Sequence, residues 1–385
     1  MKFNCASKWI LSSLIAVLAP VAIFAQTFDS GSTGADGALT YNTPGTYVFD
    51  PKTFNSPVGN IFNFTTITIA AGVTVKLPGN VLNGPVVWLA SGAVKIDGTL
   101  DLNGQDGFNA SNTTQRTNTI PGAGGYSGGY PAVGVNPAGA GLGPAGGGAN
   151  GCPGNGSFTG NQFLVPLIGG SGGGGYDTGA GGAGGGAILI ASSVSISGAG
   201  SISVKGGQPL GNSGAGGGGG IRLVAPTVTI SGSLNASGPG SCGTGAHPGV
   251  VRIEAFTIGS INPSGNYYTA TPFGLFLTPT GIPAVRVVSV GGNPVNTTPT
   301  GTFTVPDVTV NSNTPLTVAI QATNVPIMVG TVPTVVTLVI FSENGPDQTI
   351  QSTALAGTLA SSTATASVTL PSGFSKGFVK ATFTQ

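Results

Sequence analysis

Five segments of this chain can be laid over one another by their apolar residues, and that internal repeat restricts the fold more than any other feature. They begin at Phe62 (FNFTTITIAAGVTVKL), Val87 (VWLASGAVKIDGTLDLNG), Ile188 (ILIASSVSISGAGSISVKGG), Ile221 (IRLVAPTVTISGSLNASG) and Val251 (VRIEAFTIGSINPSG). Each holds two or three very short strands of alternating character, parted by corners rich in Gly, Ser or Ala. One inward column is predicted to run Phe64, Leu89, Ile190, Leu223, Ile253, and a second Ile69, Ile96, Ile196, Ile230, Ile258. No single repeat can bury so small an apolar strip, whereas coils stacked at about 4.8 Å join the strips into one continuous core. The repeat therefore predicts an all-β chain whose body is a right-handed parallel β-helix, with Gly98 and Gly232 expected at corners of positive φ. Strict alternation also predicts an outward polar column of Thr68, Lys95, Ser195, Thr229 and Thr257.

The intervals between repeats exceed what three short strands need, and the excess is glycine, which accounts for 69 of the 385 residues. The runs are GAGGYSGGYP, GPAGGGANG, GGSGGGGYDTGAGGAGGG and GNSGAGGGGG, most of them in a long insertion over about 104–186. Two physical readings compete. Polyglycine can be flexible loop, because Gly loses the most backbone entropy on ordering. Alternatively, the runs lie side by side as extended, polyproline-II-like segments whose amides bond to one another, a packing only Gly permits. The interspersed Tyr, Cys and Pro residues favour partial order. Tyr126, Tyr130 and Tyr176, expected to be exposed there, are the ligand-binding candidates, since a rigid aromatic among small residues can stack on a sugar or meet a protein partner.

The ends of the chain read differently. Lys2 and Lys8, the apolar run from Trp9 to Phe24 and the small residue Ala25 form a secretory signal peptide over residues 1–25. No later segment is apolar enough to span a bilayer. After cleavage two cysteines remain, Cys152 and Cys242, and in an exported chain an even pair reads as a disulfide. The Gly-rich β-helix domain is expected over residues 26–280. Near Pro283 the glycine runs stop and the strands lengthen: AVRVVSV from Ala284, GTFTVPDVTV from Gly301, LTVAIQAT from Leu316, TVVTLVIFS from Thr334, QTIQSTAL from Gln348, ATASVTLP from Ala364 and FVKATFTQ from Phe378. Seven short strands over 283–385 predict an immunoglobulin-like β-sandwich.

Charge excludes some functions. Only 6 % of residues are charged and the formal net charge is +1, falling to −1 once Lys2 and Lys8 are removed. Nucleic acid and anionic membrane surfaces both need clustered Lys and Arg. Glycoside hydrolysis needs a carboxylate pair at a set separation. Asp29, Asp36 and Asp50 precede the first repeat, and the body then offers Asp97, Asp101 and Asp106 near one corner, followed by Asp177 and Glu254. Alternation places Asp97 at a turn and Asp101 outward, so they are not expected to converge. Arg222 and Arg252 fall in one outward column with Glu254 two residues on, a pattern explained by a surface salt bridge. His247, in GTGAHPG, has no acid partner evident in sequence, no Ser lies in a nucleophile elbow, and no Gly run carries a phosphate-loop Lys. No cofactor or metal is implied.

The segments GSTGADGALTY at Gly31, FNFTTITIAAGVTV at Phe62 and GGGAILIASSVSISGAGSISVKGG at Gly184 resemble those of uncharacterised exported Gly-rich bacterial proteins, over roughly Phe28 to Ser264. The resemblance implies a pectin-lyase-like β-helix architecture, but the acidic and basic motifs of the enzymes are missing, so their activity carries over to no residue. In composition the glycine stretches also look like those of phage tail-tip adhesins. The expected function is non-enzymatic: an extracellular or outer-cell-surface structural or adhesive protein, periplasmic retention being the other destination, whose Gly-rich loops meet extracellular polysaccharide or a surface protein. A polysaccharide lyase or hydrolase of the β-helix type is the alternative. Ice binding by the Thr and Ser column ranks third, because Lys95 interrupts it.

Overall fold

A computed structural model of the chain describes residues 27–383 apart from 55–59, 83, 110–116, 134–136, 152–153, 242, 244–246, 273, 276–282, 297–305, 343 and 347. The signal segment, Cys152, Cys242 and most of the linker before Pro283 lie outside the described residues. The body is a 14-stranded parallel sheet that curls around one core and fits a parallel β-helix. Strands β1 (Leu39–Tyr41) and β2 (Gly45–Val48) open it. A second coil holds β3 (Ile61–Phe64), β4 (Ile67–Ile69) and β5 (Val73–Lys76), and a third holds β6 (Val86–Ala90), β7 (Val94–Ile96) and β8 (Thr99–Asp101). The fourth comprises β9 (Ala187–Ser192), β10 (Ser195–Gly198) and β11 (Ser201–Ser203). In the last two coils the corners are so slight that β12 (Gly220–Asn235) and β13 (Val250–Ser264) each run unbroken through all three sheets, and β14 (Asn266–Ala270) pairs with the start of β13.

The stacking holds, and the expected columns hold in part: Ile190, Leu223 and Ile253 share one, and Ile69 and Ile96 another. In the first sheet Phe62, Trp88, Ile190, Leu223 and Ile253 pair in register, and Phe64 stacks on Ala90. Leu89 belongs to the opposite face, with Val87, Leu189, Ala191 and Val224, under a cover that includes Phe28, Ile61, Leu167 and Leu275. Both faces of this sheet are buried, so its strands read as unbroken apolar runs and alternation gives no register. In the second sheet Ile96 stacks on Ile69, whereas Ile196 stacks on Val94 and Val228, two residues before the expected Ile96 and Ile230. The polar column accordingly runs Thr40, Thr68, Lys95, Ser197, Thr229. Gly98 and Gly232 are not at positive φ; a Cβ on either would meet the main chain of the preceding coil. At the N-terminal end the core closes on Phe49, Phe54, Phe62, Phe64 and Trp88, with Phe49 edge-on to Phe62 at 4.9 Å.

The glycine runs are not loops leaving the coils. They lie side by side as a bundle of extended chains. Residues 170–175 form its centre, and all six of their N–H groups and all six carbonyls are hydrogen bonded to main chain, at 2.7 to 3.2 Å. The pairing has a period of three: the amides of Gly170 and Gly173 donate to Gly185 and Gly182, those of Ser171 and Gly174 to Ser157 and Gly154, and those of Gly172 and Gly175 to Leu142 and Gly139. Their carbonyls accept in the same rotation from Tyr126 and Gly129, from Gly217 and Gly214, and from Gly147 and Asn150. Three residues per turn is the polyproline-II repeat, and it gives this chain six neighbours. An unmet buried amide costs about 1–3 kcal/mol, so full pairing is what lets polyglycine be dry. The chains pack too closely for side chains: a Cβ on Gly172 would fall against the Ser127 carbonyl.

Beyond the linker, β15 (Ala284–Val290), β16 (Asn293–Pro294) and β17 (Leu316–Thr323) precede the hairpin β18 (Met328–Val329) and β19 (Val332–Pro333). Then come β20 (Val335–Ser342), β21 (Gln348–Ala354), β22 (Ala356–Gly357), β23 (Ser362–Val368) and β24 (Ser375–Ala381). Two antiparallel sheets, ordered β16-β15-β17-β23-β22 and β21-β20-β24, share one core. The strand expected from Gly301 is not found in its described part, Pro306–Val310. Val339 and Phe378 rest on Tyr130 and Leu142 of the bundle, and the Lys376 ammonium lies 3.5 Å from the Ser127 hydroxyl. Desolvation there lowers the Lys376 pKa to about 8, with Asp307 acting weakly the other way.

Two predictions follow from these contacts. Gly172→Ala should lower stability by about 1–3 kcal/mol in urea unfolding, as overpacked sites do. Gly148→Ala, with nothing within 4 Å of the new Cβ, should stay within about 0.5 kcal/mol of the parent. Between the folded pKa of Lys376, about 8, and its ordinary 10.5, the unfolded chain binds more protons than the folded one, so stability should rise with pH. Above pH 10 half-buried Tyr126, whose pKa desolvation raises, opposes that trend. Melting temperatures from about pH 8 to 10 should therefore climb in the parent and stay flat in Lys376→Met.

Candidate ligand groove

Where the third sheet meets the glycine bundle, a groove of about 440 Å³ is lined by the polar residues Lys76, Asp101, Asn103, Gln105, Asp106 and Lys205 and by Pro78, Ile120 and Pro121. Its residues are placed by two successive periods. On the sheet, alternation turns Lys76 outward beside Asp101, and Asp101 beside Ser203, one per coil. Past the strand ends the period becomes three. In the run DLNGQDG, a Cβ on Gly104 would strike the Ala183 carbonyl and one on Gly107 the Ala180 carbonyl, so every third position must be bare against the bundle. That leaves Gln105 and Asp106 between them on the open side.

The polar groups are held in place and only partly used. The Asp101 Oδ1 accepts from the Asn103 N–H at 3.0 Å, and the Asn103 Oδ1 accepts from the Ser203 hydroxyl at 2.6 Å and the Lys205 N–H at 2.8 Å. Gln105 Oε1 accepts from the Ile120 N–H at 2.9 Å, and Asp106 Oδ1 from the Gln208 N–H at 2.7 Å. Among the described residues no carboxylate lies within ion-pair distance of the Lys76 or Lys205 ammonium. Exposed Ile120 and the two prolines supply an apolar wall. A site with an apolar wall, fixed acceptors and two uncommitted ammonium groups suits a ligand with both C–H faces and hydroxyls. Asp97 is elsewhere: it pairs with Lys95 at 3.2 Å, and the Ala199 N–H, ahead of Lys95, lowers its pKa.

The tyrosines do not form one surface. Tyr130 is buried at 1 % exposure, Tyr126 is half-buried in the same cluster, and Tyr176 stands apart at a tight turn where its N–H and carbonyl both pair with Gly179. Arg222 and Glu254, expected at the surface, are buried, and Glu254 binds both Arg222 (Nε to Oε1, 3.0 Å) and Arg252 (Nε to Oε1, 2.7 Å). The register of Arg222 beside Arg252 is as expected; the cover over this face, from the 161–168 segment, had no signal in the sequence.

Sequence reading also missed the neighbours of His247, which lies 3.0 Å from the Ser157 hydroxyl through Nδ1 and 3.3 Å from the Asn155 amide through Nε2. That juxtaposition resembles a nucleophile and its base, and the hydrogen bonds decide against it. Asn155 Oδ1 is fixed by the Ala215 N–H at 2.8 Å and the Ser241 hydroxyl at 2.5 Å, so its Nδ2 faces His247 and donates to Nε2. The ring proton then sits on Nδ1 and is donated to Ser157 Oγ, which leaves no lone pair to activate that hydroxyl.

Among the described residues no group of three or more His, Cys, Asp or Glu side chains is arranged to hold a metal ion, and no helix is long and apolar enough to cross a membrane. Compared with protein-family models, with curated proteins and with solved structures, the chain matches none. A serine-directed fluorophosphonate at neutral pH should leave Ser157 unlabelled by mass spectrometry; labelling of the parent that disappears in His247→Gln would overturn this tautomer.

Proposed function

We propose that this chain is an exported, non-enzymatic structural or adhesive protein of the extracellular space or cell surface, which holds polysaccharide in the groove between its third sheet and its glycine bundle. The groove carries the reading: fixed acceptors, two lysines with no carboxylate partner among the described residues, and exposed apolar residues beside them. The signal-like N-terminus supports export, and the likeness to exported Gly-rich bacterial proteins supports a right-handed β-helix body with an immunoglobulin-like terminal module. A disulfide between Cys152 and Cys242 belongs to the same proposal, favoured by the hydrogen bond between nearby Asn155 and Ser241. Tyr176, at a turn of the bundle, is a second contact point for a partner.

The presence of Asp101 and Asp106 in one groove favours a hydrolase as the second reading, since glycosidases act through paired carboxylates. The two readings separate in one assay. Incubated with a panel of neutral and acidic polysaccharides, the mature protein should be retained without releasing reducing ends or unsaturated product. Lys205→Gln and Asp101→Asn should each weaken retention about tenfold, the effect of losing one charge-assisted hydrogen bond. Product formation abolished by Asp101→Asn or Asp106→Asn would establish the enzyme instead.

A further inference from the structure

Away from the groove, the outer face of the first sheet carries a second cluster of charge, and its electrostatics are incomplete. Two guanidinium groups, Arg222 and Arg252, share the single carboxylate of Glu254, which leaves one positive charge in excess. Arg222 is 3 % exposed and grips Glu254 through Nε and Nη2, at 3.0 and 3.3 Å; its Nη1, on the other edge of the guanidinium, is buried without a partner among the described residues. A buried charge without its counter-charge is costly, and where ionic groups serve packing alone an apolar set of similar volume does as well.

The side open to solvent is equally specific. Arg252 donates through Nη1 to the Gln162 carbonyl at 3.3 Å and lies 5.2 Å from the centre of the Phe163 ring, while its Nη2 has no partner among the described residues. Phe163 is 52 % exposed, although it sits on a turn tied by Asn161, whose Oδ1 accepts from the Phe163 N–H at 2.9 Å. Register places Tyr268, 37 % exposed, beside Arg252 on the same face of the sheet. Guanidinium groups with spare N–H donors, flanked by two half-exposed aromatic rings, match an oxyanion carried on a ring that can stack.

We propose that Arg252, backed by Arg222 and Glu254 and flanked by Phe163 and Tyr268, binds a carboxylate or sulfate group borne by a sugar. This site is separate from the groove and does not rest on it. Glu254 orients both guanidinium groups, the excess charge selects an anion, and the rings select its carrier.

The test uses the full mature chain with three probes observed by ligand-detected NMR: methyl glucuronoside, inorganic sulfate and methyl glucoside. Saturable binding is expected for the glucuronoside, with displacement by sulfate at higher concentration, and none for the neutral glucoside. Arg252→Gln should weaken glucuronoside binding at least about tenfold, the loss of one charge-assisted contact, and Phe163→Ala, a change at an exposed ring, should weaken it about fivefold through the loss of stacking. Arg252→Lys should recover only part of it, because the forked geometry is gone. Lys380→Gln, on the exposed surface of the terminal module and in neither site, should leave it unchanged. Sulfate bound more tightly than the glucuronoside would assign the carried anion to the sulfate ester. Absence of saturable binding to either anion, or binding in Phe163→Ala or Arg252→Gln equal to that of the parent, would overturn the proposal.

Discussion

Main-chain amides that bond to one another with no side chains between them hold the middle of this protein together. Burial of backbone demands that every N–H and C=O find a partner, and most folds meet the demand with helices or sheet ladders, each of which satisfies a residue through one or two neighbouring segments. The bundle around residues 170–175 meets it through six segments, because an extended chain with three residues per turn turns its amides to three directions in succession. The stabilising interaction is therefore spread evenly over backbone, and the requirement on sequence is negative: nothing larger than hydrogen at positions such as Gly172 and Gly184. Where a neighbour leaves room, Ala183 and Ala215 enter the same packing fully buried.

The parallel coils and the bundle are joined by continuous hydrogen bonding. Val204 donates to Asn235 in the next coil and Gly104 to Lys205, so the spacing set by the stacked strands passes directly into the extended chains. The change from a period of two to a period of three happens within a residue or two of each third-sheet strand. It is this change that makes a groove: side chains turned outward on the sheet, Lys76 and Asp101, and side chains left free by the bundle, Gln105 and Asp106, come to face a common space. A binding surface arises at the seam because neither period alone would gather those residues.

Much of this was legible in the sequence, and the failures have physical causes. Short strands with apolar alternation gave the stacked coils, and six of the seven short strands expected near the C-terminus form two antiparallel sheets, but register was lost wherever a strand is buried on both sides. VVWLA and AILIAS carry no polar residue to mark a face before Ser192, so Leu89 and Trp88 exchange places at no cost to the pattern. The order of the glycine runs was one of two readings that composition left open, since Gly is equally the residue of loose loops and of chains packed backbone to backbone. Tyr130, read as exposed among small residues, is buried because a second module sits over it. Partners brought together across long separations, such as His247 with Ser157 or Arg252 with Phe163, leave no local trace.

Scarcity gives the charged residues their meaning. Only 6 % of the residues are charged, and surface ion pairs contribute little to stability. Asp29, Lys52, Asp177, Arg286 and Lys380 stand exposed outside both clusters, as charge spread for solvation does. By contrast, Lys76, Asp101, Asp106 and Lys205 line one groove, and Arg222, Arg252 and Glu254 form one cluster on another face. In the first set cations and carboxylates lie near one another without pairing, and in the second the pairing is complete for the anion but not for the cations. Both are configurations that fold stability alone does not favour, and both acquire a rationale once a ligand supplies the missing partner.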